Sequence, residues 1–178
     1  MRSQIISLGF VTFLLLIVGS SLTAADTERV LFTFDKPDAA QQWQTVNDGV
    51  MGGVSDGRFK IGDDKNLKFF GTLSLENNGG FASVRSKSTE INLNNDDSIV
   101  ARIRGDGREY TMNLYVPRGS GGYSFRQSFK TKKNKWTEVS FPVDKFVATY
   151  RGRVFTDQKL DPSKVDSMGF LLGDKKAG

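Results

Sequence analysis

The sequence predicts an all-β protein: two antiparallel sheets packed as a sandwich or jelly roll, with a few short helical turns. Short stretches rich in β-branched and aromatic residues recur between glycine and asparagine clusters, and few segments carry a helical period of useful length. The clusters Glu76-Asn77-Asn78-Gly79-Gly80, Gly105-Asp106-Gly107 and Gly119-Ser120-Gly121-Gly122 supply residues that tolerate positive φ, as tight connections between antiparallel strands require. A sheet with one apolar face must cover it, and the helical segments are too short to do so, which leaves a second sheet.

Strands are expected over 29–34, 43–47, 58–61, 67–75, 81–85, 98–104, 109–115, 124–130, 136–142 and 167–172. In the first, Val30, Phe32 and Phe34 fall on one face; in the strand over 98–104, Val100, Ile103 and their neighbours nearly do. Trp43 and Trp136 sit in strongly patterned strands and are expected in the core. A short helix is expected over 38–42, capped by Asp38 after Pro37, and another over 162–166, capped by Asp161 with Pro162 in its first turn. The basic run Lys130-Thr131-Lys132-Lys133-Asn134-Lys135 reads as a solvated turn rather than a nucleic-acid patch, since the remaining charges are scattered and the net charge is only +5.

At the N-terminus, Met1-Arg2 precedes an apolar run over 5–18 and the small-residue segment Gly19-Ser20-Ser21-Leu22-Thr23-Ala24-Ala25. This is the plan of a secretory signal peptide, and the run is shorter than the roughly 20 residues that span a bilayer. The expectation is a leader over 1–25, a single β-sandwich domain over 26–178 and an exported product, periplasmic or extracellular, with no stable membrane span once the leader is cleaved. A membrane-spanning anchor is the weaker reading. With no cysteine, neither disulfides nor a lipid-modified cysteine are available.

Absences narrow the chemistry. Without His or Cys the chain lacks the usual zinc and copper sites, a Ser-His-Asp triad and a Cys-His pair. No Gly-Lys-Ser/Thr phosphate loop occurs, and Gly105-Asp106-Gly107 lacks the third glycine and following helix of a dinucleotide fingerprint. No cofactor is expected. Carboxylate chemistry stays open through Asp48 with Asp56, or Glu109 with a cross-sheet partner, although acidic residues in turns are usually solvated or capping. Asn94-Asn95-Asp96-Asp97 and Asp63-Asp64 offer oxygen ligands without an EF-hand pattern, so no metal site is assigned.

The unusual segment is Val46-Asn47-Asp48-Gly49-Val50-Met51-Gly52-Gly53-Val54-Ser55-Asp56-Gly57. Its glycines permit a tight left-handed path while Asp48 bonds nearby amides, or else the loop contacts a ligand. It resembles the signature of the complex I intermediate-associated protein 30 family, in which a Trp-bearing strand leads into an Asn-Asp-Gly-Val-Met-Gly-Gly-like loop. The stretch from Ser98 to Arg108 is similar to that family's Arg-Gly-Asp-Gly hairpin. Trp136-Thr137-Glu138-Val139 with Phe141-Pro142, the stretch from Phe146 to Arg153, and Leu160 to Val165 followed by Met168 to Leu172 and Asp174-Lys175, resemble its later blocks. The likeness implies a jelly-roll sandwich like that of galactose-binding domains and, as a role, assembly of NADH:ubiquinone oxidoreductase by holding membrane-arm intermediates. It also implies a further apolar strand after the final Gly-Phe-Leu strand, whereas this chain stops at Gly178; without that strand, an exposed sheet edge would invite pairing.

These readings favour a non-catalytic module that holds a protein partner, with respiratory-complex subunits as the implied class. Its candidate contacts are Asp48, Gly49, Met51, Gly52, Gly53, Tyr123, Arg151 and Arg153. Tyr123 packing on the sheet, and Arg151 and Arg153 pairing with rim carboxylates, are the structural alternatives. The competing function is an exported carbohydrate-binding module in which Trp43, Tyr110, Tyr115 or Trp136 forms a platform for a glycan.

Overall fold

The computed structural model describes residues 28–117 and 122–178, and its main compact unit is Leu31–Gly178. The expected leader over 1–25 lies outside the described residues. The strands are β1 (Trp43–Asn47), β2 (Asp56–Ile61), β3 (Leu67–Thr72), β4 (Ala82–Ser86), β5 (Ser98–Arg104), β6 (Glu109–Tyr115), β7 (Ser124–Lys130), β8 (Trp136–Pro142), β9 (Val147–Tyr150), β10 (Arg153–Phe155) and β11 (Ser167–Leu172). Seven form one antiparallel sheet in the order β1-β4-β11-β6-β7-β9-β10, and two ribbons, β2-β3 and β5-β8, stand apart from it.

Side-chain alternation assigns the faces. On the inner face, Ala82 and Val84 of β4, Met168, Phe170 and Leu172 of β11, Met112 and Leu114 of β6, Phe125 of β7 and Ala148 of β9 follow from the registers Phe170↔Met112, Leu114↔Phe125 and Phe125↔Ala148. The β5-β8 ribbon closes the larger core over this face with Ile99 and Phe141, joined by Ile91, Leu93, Val143, Phe146 and Val165. Phe141 is 2 % exposed; burying such a ring contributes about 2–3 kcal/mol. Beyond it a smaller cluster of Leu73, Ala82 and Leu172 meets Phe69 of β3 and Tyr110 of β6. The sandwich is therefore one broad sheet with two ribbons as its second layer.

Six strands, β1, β5, β6, β7, β8 and β11, have the bounds expected from the sequence. Residues 29–34 do not form a strand. Their alternation serves packing: the rings of Phe32 and Phe34 lie 5.0 and 5.8 Å from that of Trp43, and Leu31 and Phe32 pack against the main core. In β5 the inward residues are Ile99, Ala101 and Ile103, while Val100 faces out and is 55 % exposed, so Val100 and Ile103 do not share a face. Trp43 is buried as expected, but Trp136 is 43 % exposed because its register opposite Arg104 puts it on the outer side of the ribbon, where Arg102 lies 5.2 Å over its ring. Strands β9 and β10 were not expected. Their connection is the two-residue turn Arg151-Gly152, both at positive φ, 46° and 79°, a hairpin geometry usually signalled by Asn-Gly.

Both short helical segments exist as single turns, Ala39–Gln42 and Pro162–Lys164. Asp161 caps the second, accepting from the Ser163 amide at 3.2 Å, whereas Asp38 makes no side-chain cap bond. Three sequence blocks far apart in the chain converge at one end of the sheet. Arg108, after the Arg-Gly-Asp-Gly hairpin, forms a bidentate pair with Asp174 and also bonds the carbonyls of Lys176 and Gly178. Thr131 accepts from the Gly107 amide and donates to the Arg108 carbonyl, docking the basic turn on that hairpin.

Candidate functional site

The glycine-rich loop after β1 is organised by Asp48, which is fully buried. Its Oδ1 accepts from the Ser55 amide at 2.9 Å. Its Oδ2 accepts from the Ser55 hydroxyl at 2.6 Å, the Gly80 amide at 2.6 Å and the Phe81 amide at 3.3 Å. Burial is the largest influence on this carboxyl and would raise its pKa, but the Ser55 hydroxyl and the three amides together outweigh it and hold the group below the usual aspartate value. The carboxylate is thus satisfied inside the protein, as the loop reading of Asp48 requires.

The glycines have distinct reasons. Gly52 has φ of 88°, in the left-handed region. A Cβ on Gly53 would lie 2.4 Å from the Asp48 carboxyl carbon, and one on Gly79, in the Asn-Asn-Gly-Gly turn, 2.5 Å from Oδ2. Gly49 meets no such obstacle. The segment is therefore built as two glycine turns clamped on one anion. What the clamp presents is apolar: Val50 is 74 %, Met51 64 % and Val54 52 % exposed.

The remaining candidates lie elsewhere. The registers Asn47↔Ala82, Ala82↔Leu172 and Leu172↔Tyr110 place the Asp48 loop at one end of the sheet, beyond its β1 edge. Tyr123 precedes β7 at the opposite end, with its ring 5.2 Å from that of Phe155 and 6.3 Å from that of Tyr150. Arg151 sits on the β9-β10 turn, 5.4 Å over the Tyr150 ring, and Arg153 is exposed. Neither arginine forms an ion pair among the described residues. The eight candidates accordingly form two separated groups.

Among the described residues no three acidic side chains gather in a way that would hold a metal ion. Asp97 of the Asn94–Asp97 turn instead accepts from the Asn94 amide at 2.8 Å, and Asp56 pairs with Arg58 at 3.1 Å, away from the satisfied Asp48 carboxylate.

On the outer face of the seven-stranded sheet, sequence reasoning named only Tyr115, as a possible glycan platform, and missed the arginines beside it. The pairings Gln44↔Arg85, Arg85↔Gly169, Gly169↔Asn113, Asn113↔Arg126 and Arg126↔Val147 form one row across six strands. Two residues along β6 from Asn113, Tyr115 rises on the same face, and the Arg85 guanidinium lies 4.6 Å over its ring. Burial raises the Tyr115 hydroxyl, against the opposing influence of both Arg85 and Arg126, and burial lowers Arg126. The signal was present in each strand as alternation, but no single strand reveals that the two arginines share a row.

A model of one protein family matches residues 32–178, nearly the whole described unit: complex I intermediate-associated protein 30. The chain belongs to this family. Complex I intermediate-associated protein 30, mitochondrial, of Drosophila melanogaster is 24 % identical over 172 residues, covering 83 % of this chain and 57 % of that relative. The chain thus spans little more than half the length of that fly protein. Two solved structures share its fold. A family 11 carbohydrate-binding module of a cellulosomal cellulase of Clostridium thermocellum has a TM-score of 0.59 at 17 % identity, covering 85 % of this chain and 88 % of the module. The Clostridium thermocellum module in complex with a β-1,3-1,4-mixed-linked tetrasaccharide has a TM-score of 0.56 at 16 % identity, covering 83 % and 88 %. At such identities the likeness concerns the fold. Membership of the complex I intermediate-associated protein 30 family corrects the expectation of an exported, periplasmic or extracellular protein, because the named relative is mitochondrial. No helix of the described residues is long and apolar enough to cross a membrane.

Proposed function

We propose that this member of the complex I intermediate-associated protein 30 family is a non-catalytic assembly-factor module that holds a protein partner through the apolar tip of its Asp48 loop. The observation that carries the reading is the combination at that loop. Val50, Met51 and Val54 are largely exposed, yet Asp48 at the base of their loop has its buried carboxylate held by four hydrogen bonds, two from Ser55 at the loop's far end and two from the Gly80 and Phe81 amides. Adjacent apolar side chains left in water are characteristic of contact surfaces, and a rigid mount lowers the ordering cost of binding. The partner class is an intermediate of the NADH:ubiquinone oxidoreductase membrane arm.

The glycan alternative has less support. Trp43 is buried, Tyr110 stacks with Phe129, and Tyr115 and the exposed Trp136 each have an arginine, Arg85 and Arg102, over the ring.

The test is native electrophoresis of the full chain with detergent-solubilised complex I assembly intermediates. The chain is expected to co-migrate with one of them, and Met51→Glu with Val50→Ser is expected to lose at least tenfold in affinity while melting within a few degrees of the parent. Equal co-migration of parent and variant would remove the loop from the contact. Absence of co-migration by the parent would remove the assembly reading.

A further inference from the structure

We propose that the outer face of the seven-stranded sheet is a binding site for a soluble small molecule carrying a phosphomonoester, gripped between Arg85 and Arg126 above Asn113 and Gly169. The inference is independent of the partner-binding loop, which lies beyond the β1 edge.

Four observations carry it. Arg85 and Arg126 are half-buried, yet neither meets a carboxylate among the described residues. Arg126 keeps a buried Nε with no hydrogen-bond partner. Half-burying two cations without counter-charge is unfavourable for folding alone, so the site is electrostatically incomplete. Second, Arg85 leans across β11 toward the strand that borders Arg126: its guanidinium lies 4.6 Å over the ring of Tyr115 on β6, and its Nε donates to the Ser83 hydroxyl at 3.0 Å. Its two terminal nitrogens are left for a ligand. Third, the row between the arginines is short of side chains. A Cβ on Gly169 would lie 2.4 Å from the Val84 carbonyl oxygen and 3.0 Å from Arg85 Cγ, so the position is held to glycine and β11 puts no side chain in the row between Arg85 and Asn113. Fourth, Asn113, between the two arginines in the row, is only 1 % exposed and donates to the Thr111 carbonyl at 3.3 Å, so the arginine side chains above it, rather than Asn113 itself, would meet a ligand.

The donors select the ligand. A carboxylate is planar and is satisfied by a single guanidinium fork, whereas a phosphomonoester carries close to two negative charges and offers oxygens to donors on two sides.

The experiment is calorimetric titration of the full chain with phenyl phosphate, alongside a tetraglutamate peptide, a neutral β-glucan tetrasaccharide and vesicles containing phosphatidic acid. Saturable binding of phenyl phosphate is expected, weakened at least tenfold by Arg85→Gln and by Arg126→Gln and unchanged by Lys60→Gln on β2. Arg85→Lys and Arg126→Lys, which keep the charge but lose the fork, are expected to weaken it several-fold and serve if a Gln variant fails to fold. The proposal is overturned by non-saturable phenyl phosphate, by arginine variants that bind like the parent, by tighter binding of the peptide or the glucan, or by binding to vesicles alone.

Discussion

Two charged regions of this protein handle burial in opposite ways. At the end of the sheet beyond β1, the Asp48 carboxylate is completely enclosed and every contact it makes is with its own chain. On the outer face, Arg85 and Arg126 are only half-buried, and the donors they carry are incompletely used. A buried charge with a full set of partners stabilises the fold and has little left to offer a ligand. A partly buried charge without them weakens the fold and keeps its capacity for something else. The comparison separates framework from function better than the sequence motif did, since the most distinctive motif surrounds the framework charge.

The largest effect that would break this contrast is expected at Asp48. Asp48→Asn preserves shape but places an NH2 either against the Ser55 amide or against the Gly80 and Phe81 amides, because every position around the carboxylate is a donor. A loss of about 3 kcal/mol is expected by urea denaturation, combining a mispaired buried donor with weaker bonds to a neutral group. The pH dependence carries the same information. The folded carboxyl lies below the unfolded value of about 3.9, so its contribution is fully present above that pH and disappears as pH falls through the folded pKa. Denaturation of the parent between about pH 5 and pH 2 should therefore show a steeper acid loss than the variant. Equal slopes would mean that the carboxylate is not the hub.

A smaller loss is expected at Asp174, whose side chain is 10 % exposed and pairs with Arg108. Asp174→Asn leaves Arg108 its bonds to the Gly178 and Lys176 carbonyls, so the cost is set at about 1–2 kcal/mol rather than the larger figure for an orphaned buried ion. Raising the salt concentration should shrink the difference between parent and variant only slightly, since the pair is mostly shielded from solvent.

Much of the sandwich was legible because its strands are local. In β6, β7 and β11 the alternation and the flanking glycines carry the whole assignment. The places where reading failed are those decided by distant partners. Residues 29–34 alternate like a strand but find no ladder, β9 and β10 are short and joined by an Arg-Gly turn, and the faces of Val100 and Trp136 follow from the pairing of β5 with β8. The same limit applies to the sites. Asp48 could be singled out from its glycine-rich surroundings, and its alternative reading as a backbone clamp was available from Asn47-Asp48-Gly49 alone. Its dependence on Gly79 and Gly80, about thirty residues away, was not. The row joining Arg85 to Arg126 requires the register of four strands, which no linear motif encodes.

The smallest expected effect sharpens the contrast most. If Arg126 is framework, replacing it with an uncharged side chain of similar length should destabilise the protein as Asp48→Asn does. If its half-buried charge is kept for a ligand, Arg126→Met removes a desolvated cation and an unpaired Nε while retaining an apolar stem opposite Asn113. Unfolding free energy is then expected to stay within about 0.5 kcal/mol of the parent, or to rise. A stability gain that accompanies loss of phenyl phosphate binding would place the cost of this arginine on the folding side and its benefit on the binding side. A loss of about 2 kcal/mol or more would return Arg126 to the framework, beside Asp48.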